Sequence, residues 1–138
     1  MKAALLAFGL ALPAFGVEYD IAEDAVAKTV GRDVREYLTR RTATGAFTVG
    51  GQTPTTVHVG DTDFTKAKGL GSKTLKDEEW VIRSFGGDIV LNGRGRGLTL
   101  AAVHFLDDDC GVRWWSEYEE HVPTGALRLP ALNRRGRP

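Results

Sequence analysis

Residues 78–123 read EEWVIRSFGGDIVLNGRGRGLTLAAVHFLDDDCGVRWWSEYEEHVP, a succession of strand, glycine turn, strand, glycine loop, helix and aromatic segment. Trp80 to Phe85 and Asp88 to Asn92 are short runs rich in β-branched and aromatic residues, which suit a pleated, half-buried surface. Gly86-Gly87 between them can take the positive φ angles of a tight hairpin turn. Beyond the loop Asn92 to Gly97, the residues Leu98, Ala101, Ala102, Phe105 and Leu106 recur at helical spacing, and Gly111 stands where a left-handed residue ends a helix. The pattern predicts one ββα unit. By itself that unit names no reaction, because one fold hosts many activities.

Upstream, Val17 to Ala22 alternates Val17, Tyr19 and Ile21 against Glu18 and Asp20, as a short strand does. From Glu23 to Arg41, the residues Val26, Val30, Val34, Tyr37 and Leu38 fall on one face at steps of three or four, with charges elsewhere, so an amphipathic helix is expected. Glu23 and Asp24 suit its positive N-terminal end, and Arg40 and Arg41 its negative C-terminal end. Gly31 inside the helix costs about 1 kcal/mol relative to alanine without breaking the pattern. Phe47 and Val49 suggest a short strand in a turn-rich connection, and Thr55 to Gly60 a better one in which His58 points away from the core side. Asp61 to Lys76, polar and glycine-containing, reads as a surface loop.

At 138 residues with 42% hydrophobic content, the chain is about one domain with a core of its own. Its 18 basic and 18 acidic residues cancel and are interspersed, which argues against nucleic acid or an anionic membrane as partner. Lys2, the apolar run Ala3 to Phe15, and Ala14-Phe15-Gly16 form the charged, apolar and small-residue pattern of a secretory signal peptide over residues 1–16. The run falls short of the roughly 20 residues that span a bilayer, and Gly9 and Pro13 interrupt it. A secreted or periplasmic protein is therefore expected. Cys110 is the one cysteine, so no intrachain disulfide forms, and its place beside the helix end favours burial over reactivity.

No credible active site emerges from the motifs. The glycine loop Asn92 to Gly97 has Leu98 where a dinucleotide fingerprint needs its third glycine, and it lacks the Gly-Lys-Ser/Thr of a Walker loop. His58, His104 and His121 lie far apart, and Asp107-Asp108-Asp109 fans around a helix axis, so no metal set converges; no cofactor is expected. The aspartates also oppose the negative end of the helix dipole, a conflict with no explanation in the sequence. Acidic residues are plentiful, but glycosidase chemistry depends on a separation in space that sequence does not supply. Trp114 and Trp115 are the remaining candidates. Packing is the expectation for both, the ordinary fate of large aromatics, while strand alternation leaves one of them accessible as a platform for a sugar ring.

The stretch Arg96 to Trp115, RGLTLAAVHFLDDDCGVRWW, resembles the segment that ends the N-terminal domain of bacterial α-glucuronidases and related secreted proteins, a group shared with β-N-acetylhexosaminidases. The matching residues are Arg96-Gly97, Phe105-Leu106, Gly111-Val112-Arg113-Trp114, Glu117 to Glu120 and Val122-Pro123, with the upstream helix and strands in the expected order. Ala102 departs from the pattern, where family members commonly carry an aromatic residue. The resemblance implies an α+β domain, a small mixed or antiparallel sheet packed by two main helices, standing ahead of a catalytic (β/α)8 barrel that carries the catalytic carboxylates. No catalytic residue is carried over to this chain.

The resulting expectation is a signal peptide over 1–16, an accessory domain over 17–125, and an exposed tail or linker over 126–138 leading to a downstream barrel. The rival readings are a stand-alone carbohydrate-binding or protein-interaction module using Trp114 or Trp115, and a small enzyme complete in itself.

Overall fold

The computed structural model describes residues 17–138, so the expected signal peptide lies outside the described residues. In chain order the elements are β1 (Glu18–Ile21), α1 (Ala25–Thr42), β2 (Phe47–Val49), β3 (Thr56–Val59), α2 (Asp63–Ala67), β4 (Trp80–Phe85), β5 (Asp88–Gly93), α3 (Gly97–His104), β6 (Arg113–Ser116), β7 (Glu119–His121), β8 (Leu127–Leu129) and β9 (Asn133–Gly136). Strands β1, β3, β5, β4 and β9 form, in that spatial order, a mixed sheet. The β1–β3 and β3–β5 pairs are parallel, whereas β4 runs antiparallel to both β5 and β9. The fold is α+β, as expected.

The hairpin forms where its residues require it: Phe85 pairs with Asp88 across Gly86-Gly87, and Gly86 sits at φ 63°. Alternation along β3, β4 and β5 then divides the sheet's side chains between two faces. Val57, Val59, Ile82, Ile89 and Leu91 meet α1 (Ala27, Val30, Val34, Leu38) and α3 (Leu98, Ala101, Ala102) in the main core. Asp24 caps α1 by accepting from the Ala27 N–H at 2.9 Å. Gly31 also has a reason: a Cβ there would lie 2.7 Å from the Ile21 side chain, so the helix gives up propensity to approach β1 closely. Past His104 the helix widens into a π-turn, Phe105–Asp109, in which the Cys110 N–H donates to Phe105 O at 3.1 Å. Gly111 at φ 78° then ends it, as its position suggested.

The opposite face corrects the expectation for Asp61 to Lys76. This segment holds α2 and a 3-10 turn, Ser72–Thr74, and it covers a second, smaller core of Leu70, Leu75, Val81 and Val90, with Phe64 and Phe85 packed alongside. Five helical residues and two isolated leucines are too sparse for a periodic signal. His58 does point away from the main core, but it is buried under this segment, stacked on Phe64 at a 4.0 Å centroid separation. Its ring nitrogens face Asp88 at 3.0 Å and Asp20 at 3.4 Å, which ties β1, β3 and β5 together on that side.

The C-terminal residues 126–138, expected as an exposed tail or linker, are also different. Leu127–Leu129 pairs in parallel with β2, adding Leu127 and Leu129 to the main core, and Asn133–Gly136 is an edge strand paired with β4. Charge-rich composition suggested solvation, yet the arginines of this edge strand are partly covered and pair with largely buried carboxylates. Arg134 reaches Asp109 at 2.7 Å, Arg135 reaches Glu79 at 3.6 Å, and Gly136 lies so near the Trp80 ring that a Cβ would come within 2.7 Å of it.

Candidate functional site

Strands β6 and β7 form an antiparallel hairpin pairing Arg113 with His121 and Trp114 with Glu120, and every residue of the two strands is solvent-exposed. The apolar demand of the core is met just before it, by Cys110 and Val112, both fully buried. The hairpin therefore lies outside the core, and the expectation that Trp114 and Trp115 pack inside is corrected: they are 37% and 67% exposed. Alternation does send them to opposite sides. Trp114 turns toward α1, its indole N–H donating to the Tyr37 hydroxyl at 3.1 Å and the two rings meeting edge-on with centroids 5.4 Å apart. Trp115 stacks over His121, 5.9 Å between centroids and nearly parallel, leaving its other face to solvent. Tyr118, at the turn, is 88% exposed.

The Trp114 side is an organised polar cluster. Tyr37 donates its hydroxyl to Glu120 at 2.7 Å, and Arg40 donates to the same carboxylate at 2.8 Å. The hydrogen bond to Glu120 holds the Tyr37 hydroxyl above the usual phenol range. Reciprocally, Tyr37 and then Arg40 hold the Glu120 carboxyl below its usual range. A cleft of about 500 Å³ opens here, lined by Tyr37, Trp114, Glu117, Tyr118, Glu119 and Glu120. A second groove of about 230 Å³ runs beside it between α1 and α3, where Val30, Tyr37, Ala102, Val103, Leu106 and Trp114 form most of the wall. Sequence reading found Trp114 and placed Tyr37 in the apolar stripe of α1, but missed that Tyr37, Arg40 and Glu120 converge. The available signal was the Tyr37/Arg40 spacing, which puts both on one helix face.

The other candidates serve the fold. A cleft of about 380 Å³ lies beside the glycine loop, at the carboxyl ends of β3 and β5, with Asp24, Gly60, Asp61, Ser72, Asn92 and Gly93 in its wall. Its carboxylates are engaged: Asp24 caps α1, and Asp61 accepts from Ser72 N–H at 2.7 Å, Ser72 Oγ at 2.5 Å and Asn92 Nδ2 at 2.8 Å. Burial pushes the Asp61 carboxyl up, but the hydrogen bonds from Ser72 and Asn92 outweigh it and hold the group below its usual range. The loop glycines answer to backbone contact. A Cβ on Gly93 would lie 2.0 Å from the Gly97 carbonyl carbon, and one on Gly97 would lie 2.1 Å from Glu79 O. Two carboxylates in the wall and two glycines pressed against backbone are a poor cradle for a phosphate.

The aspartate run finds its missing explanation in side-chain partners, the most distant of them Arg134, which lies 3.8 Å from Asp108 and 2.7 Å from Asp109. Asp107 pairs with Arg113, Asp108 faces His104 Nδ1 at 3.0 Å, and Asp109 accepts from Arg134 of β9 at 2.7 Å. Burial pushes the Asp109 carboxyl above its usual range, with Arg134 opposing. Among the described residues no group of three His, Cys, Asp or Glu side chains is placed to hold a metal ion. Cys110 is fully buried, and burial pushes its thiol up and away from the reactive thiolate. No family model, curated protein or solved structure matches this chain.

Proposed function

We propose that this chain is a non-catalytic accessory domain of a secreted carbohydrate-active enzyme of α-glucuronidase-like type, standing ahead of a (β/α)8 catalytic barrel and bracing it. The observation that carries this reading is where the apolar surface lies. Val103 on α3 is 42% exposed and shares the interhelical groove with Trp114, whereas the exposed Val26 of α1 lines the cleft beside the glycine loop. The helix layer thus covers the sheet on its inner side and, at the groove around Val103, presents apolar surface outward, as a layer does when a second domain packs on it. The resembling segment Arg96 to Trp115 supports it further, since that segment builds α3, the π-turn and β6, which supply one wall of the groove. The test is the reading frame that follows codon 138: it should encode a barrel with paired acidic residues, and a stop codon there would overturn the proposal.

A second reading, a carbohydrate-binding module, is favoured specifically by the solvent-facing ring of Trp115. Calorimetric titration and a glycan array on the whole chain decide it, and silence across plant and amino-sugar glycans removes it.

A further inference from the structure

We propose that the segment Asp61 to Lys76 is a pH-gated lid over the second core, and that the His58 imidazole is the group that gates it. His58 is 5% exposed, and both of its ring nitrogens face carboxylates: Nε2 lies 3.0 Å from Asp88 of β5, and Nδ1 lies 3.4 Å from Asp20 of β1. A neutral imidazole carries one N–H, so in that form one nitrogen turns a lone pair toward a carboxylate oxygen, whereas the imidazolium donates to both. The ring also stacks on Phe64 of α2, with centroids 4.0 Å apart and planes 5° from parallel. A cation over an aromatic face gains an attraction that the neutral ring lacks. One proton thus strengthens the contacts to β1, to β5 and to the lid together.

The surroundings leave the imidazole as the group that switches. Asp88 also accepts from Thr55 Oγ1 at 3.0 Å, and Asp20 shares its face of β1 with Glu18, which lies opposite Thr56. On the lid, Lys68 lies 5.3 Å from the Phe64 centroid and 5.0 Å from that of Phe85, and Arg83 of β4 lies 4.8 Å from the Phe85 centroid. Carboxylates, lysines and arginines ordinarily keep one charge between about pH 5 and 8, the interval in which imidazole ordinarily exchanges its proton. The clasp is therefore complete on the acid side and is lost as pH rises through the His58 titration. The lid is the part that responds because its apolar hold is small, Phe64, Leu70 and Leu75 against Val81, Val90 and Phe85, whereas the main core on the other face is closed by α1 and α3. This device needs neither a downstream barrel nor a domain on the α1–α3 groove, so it stands or falls separately from that reading.

Hydrogen exchange followed by NMR on the full 15N-labelled chain tests it from about pH 5 to 8, with rates corrected for the intrinsic pH dependence of amide exchange and the His58 ring nitrogens followed in the same samples. The Leu70 and Leu75 amides, which donate to Thr65 O and Ser72 O, should open about tenfold more often once His58 has lost its proton, the worth of about one hydrogen bond to a charged group. The Val34 and Leu38 amides of α1 should not follow. His58→Gln, which cannot change charge, should flatten the response. Asp20→Asn, at a half-exposed carboxylate, should shrink it and move the His58 titration to lower pH; if His58→Gln does not fold, this variant decides alone. The proposal is overturned by lid opening that stays constant through the His58 titration, by a response that survives in His58→Gln or is unchanged in Asp20→Asn, or by equal acceleration at Val34 and Leu38.

Discussion

Replacing Arg41 with methionine should destabilise the protein by about 3 kcal/mol, far more than its position in a basic helix terminus suggests. Arg41 is only 9% exposed. Its Nε–H donates to Cys110 O at 2.6 Å, one terminal N–H donates to Gly125 O at 3.1 Å, and the other reaches Ala126 O at 3.4 Å. One guanidinium thus ties the end of α1 to the π-turn and to the segment leading into β8. Hydrogen bonds to a charged group are worth about 1.5–3 kcal/mol, and carbonyls left buried without a donor add their own penalty. The short, buried bond to Cys110 accounts for about 2 kcal/mol of the loss and the one to Gly125 for about 1 kcal/mol. The long Ala126 contact adds little, and release of the cation from its buried site offsets part of the rest. Methionine keeps the stem's packing, so the effect isolates the polar head. Urea unfolding should show a lowered midpoint at unchanged slope, and a thermal midpoint down by about 10 °C. Arg41→Lys should recover less than half, because an ammonium cannot fork to separated carbonyls. A change below about 0.5 kcal/mol for Arg41→Met, the size of an ordinary surface substitution, would refute the reasoning.

Other outcomes follow from the same geometry. Gly97→Ala should cost about 2 kcal/mol or more, because its Cβ meets Glu79 O, whereas Gly95→Ala, strained in φ but open in space, should cost about 1 kcal/mol; paired urea curves check the contrast. Asp61, held below its ordinary value of 3.8, contributes stability that is present above that value and lost as pH falls through its folded-state pKa. Asp61→Asn should therefore flatten the acid limb of the stability–pH curve. Asp109, held above 3.8, has the opposite sign: its contribution is present at acid pH and is lost as pH rises through its folded-state pKa. Asp109→Asn should remove that loss, and Arg134→Ala should enlarge it, which denaturation series at pH 3 to 7 would test. Trp115→Ala should leave the unfolding midpoint within about 0.5 kcal/mol of the parent, since its ring is 67% exposed and stacks on His121 of the same hairpin; a larger fall would mean that the hairpin is part of the core.

The fold was legible wherever periodicity and turn chemistry agreed. The β4–β5 hairpin declared itself through Gly86-Gly87, α1 through its valines, and the end of α3 through Gly111. Hidden features were those set by contacts distant in sequence. Arg134 and Arg135 looked like a solvated tail because their carboxylate partners, Asp109 and Glu79, are 25 and 56 positions away. The same pairing explains an aspartate run that opposes its helix dipole. Asp61 to Lys76 hid a lid over the second core because two leucines carry no period. At the candidate site the tryptophans were visible but their exposure was not, since nothing local says that Val112 has already filled the core.

That last point bears on how stability and function are divided in this molecule. The described core closes without the hairpin: Phe105, Cys110 and Val112 are fully buried, and the sheet's inner face is covered by α1 and α3. Stability alone gives no reason to keep Trp115 and Tyr118 on a strand pair facing water, where each leaves apolar surface uncovered. Nor does it require Glu117 and Glu119, which form no ion pair among the described residues. Residues unnecessary to the fold and unfavourable on a bare surface are best accounted for by what meets them, and the hairpin together with the α1–α3 groove is where that encounter is expected. Substitutions of the exposed Trp115, Tyr118, Glu117 and Glu119 should therefore change partner binding while leaving the unfolding midpoint nearly constant, whereas substitutions at Arg41 or Gly97 should do the reverse.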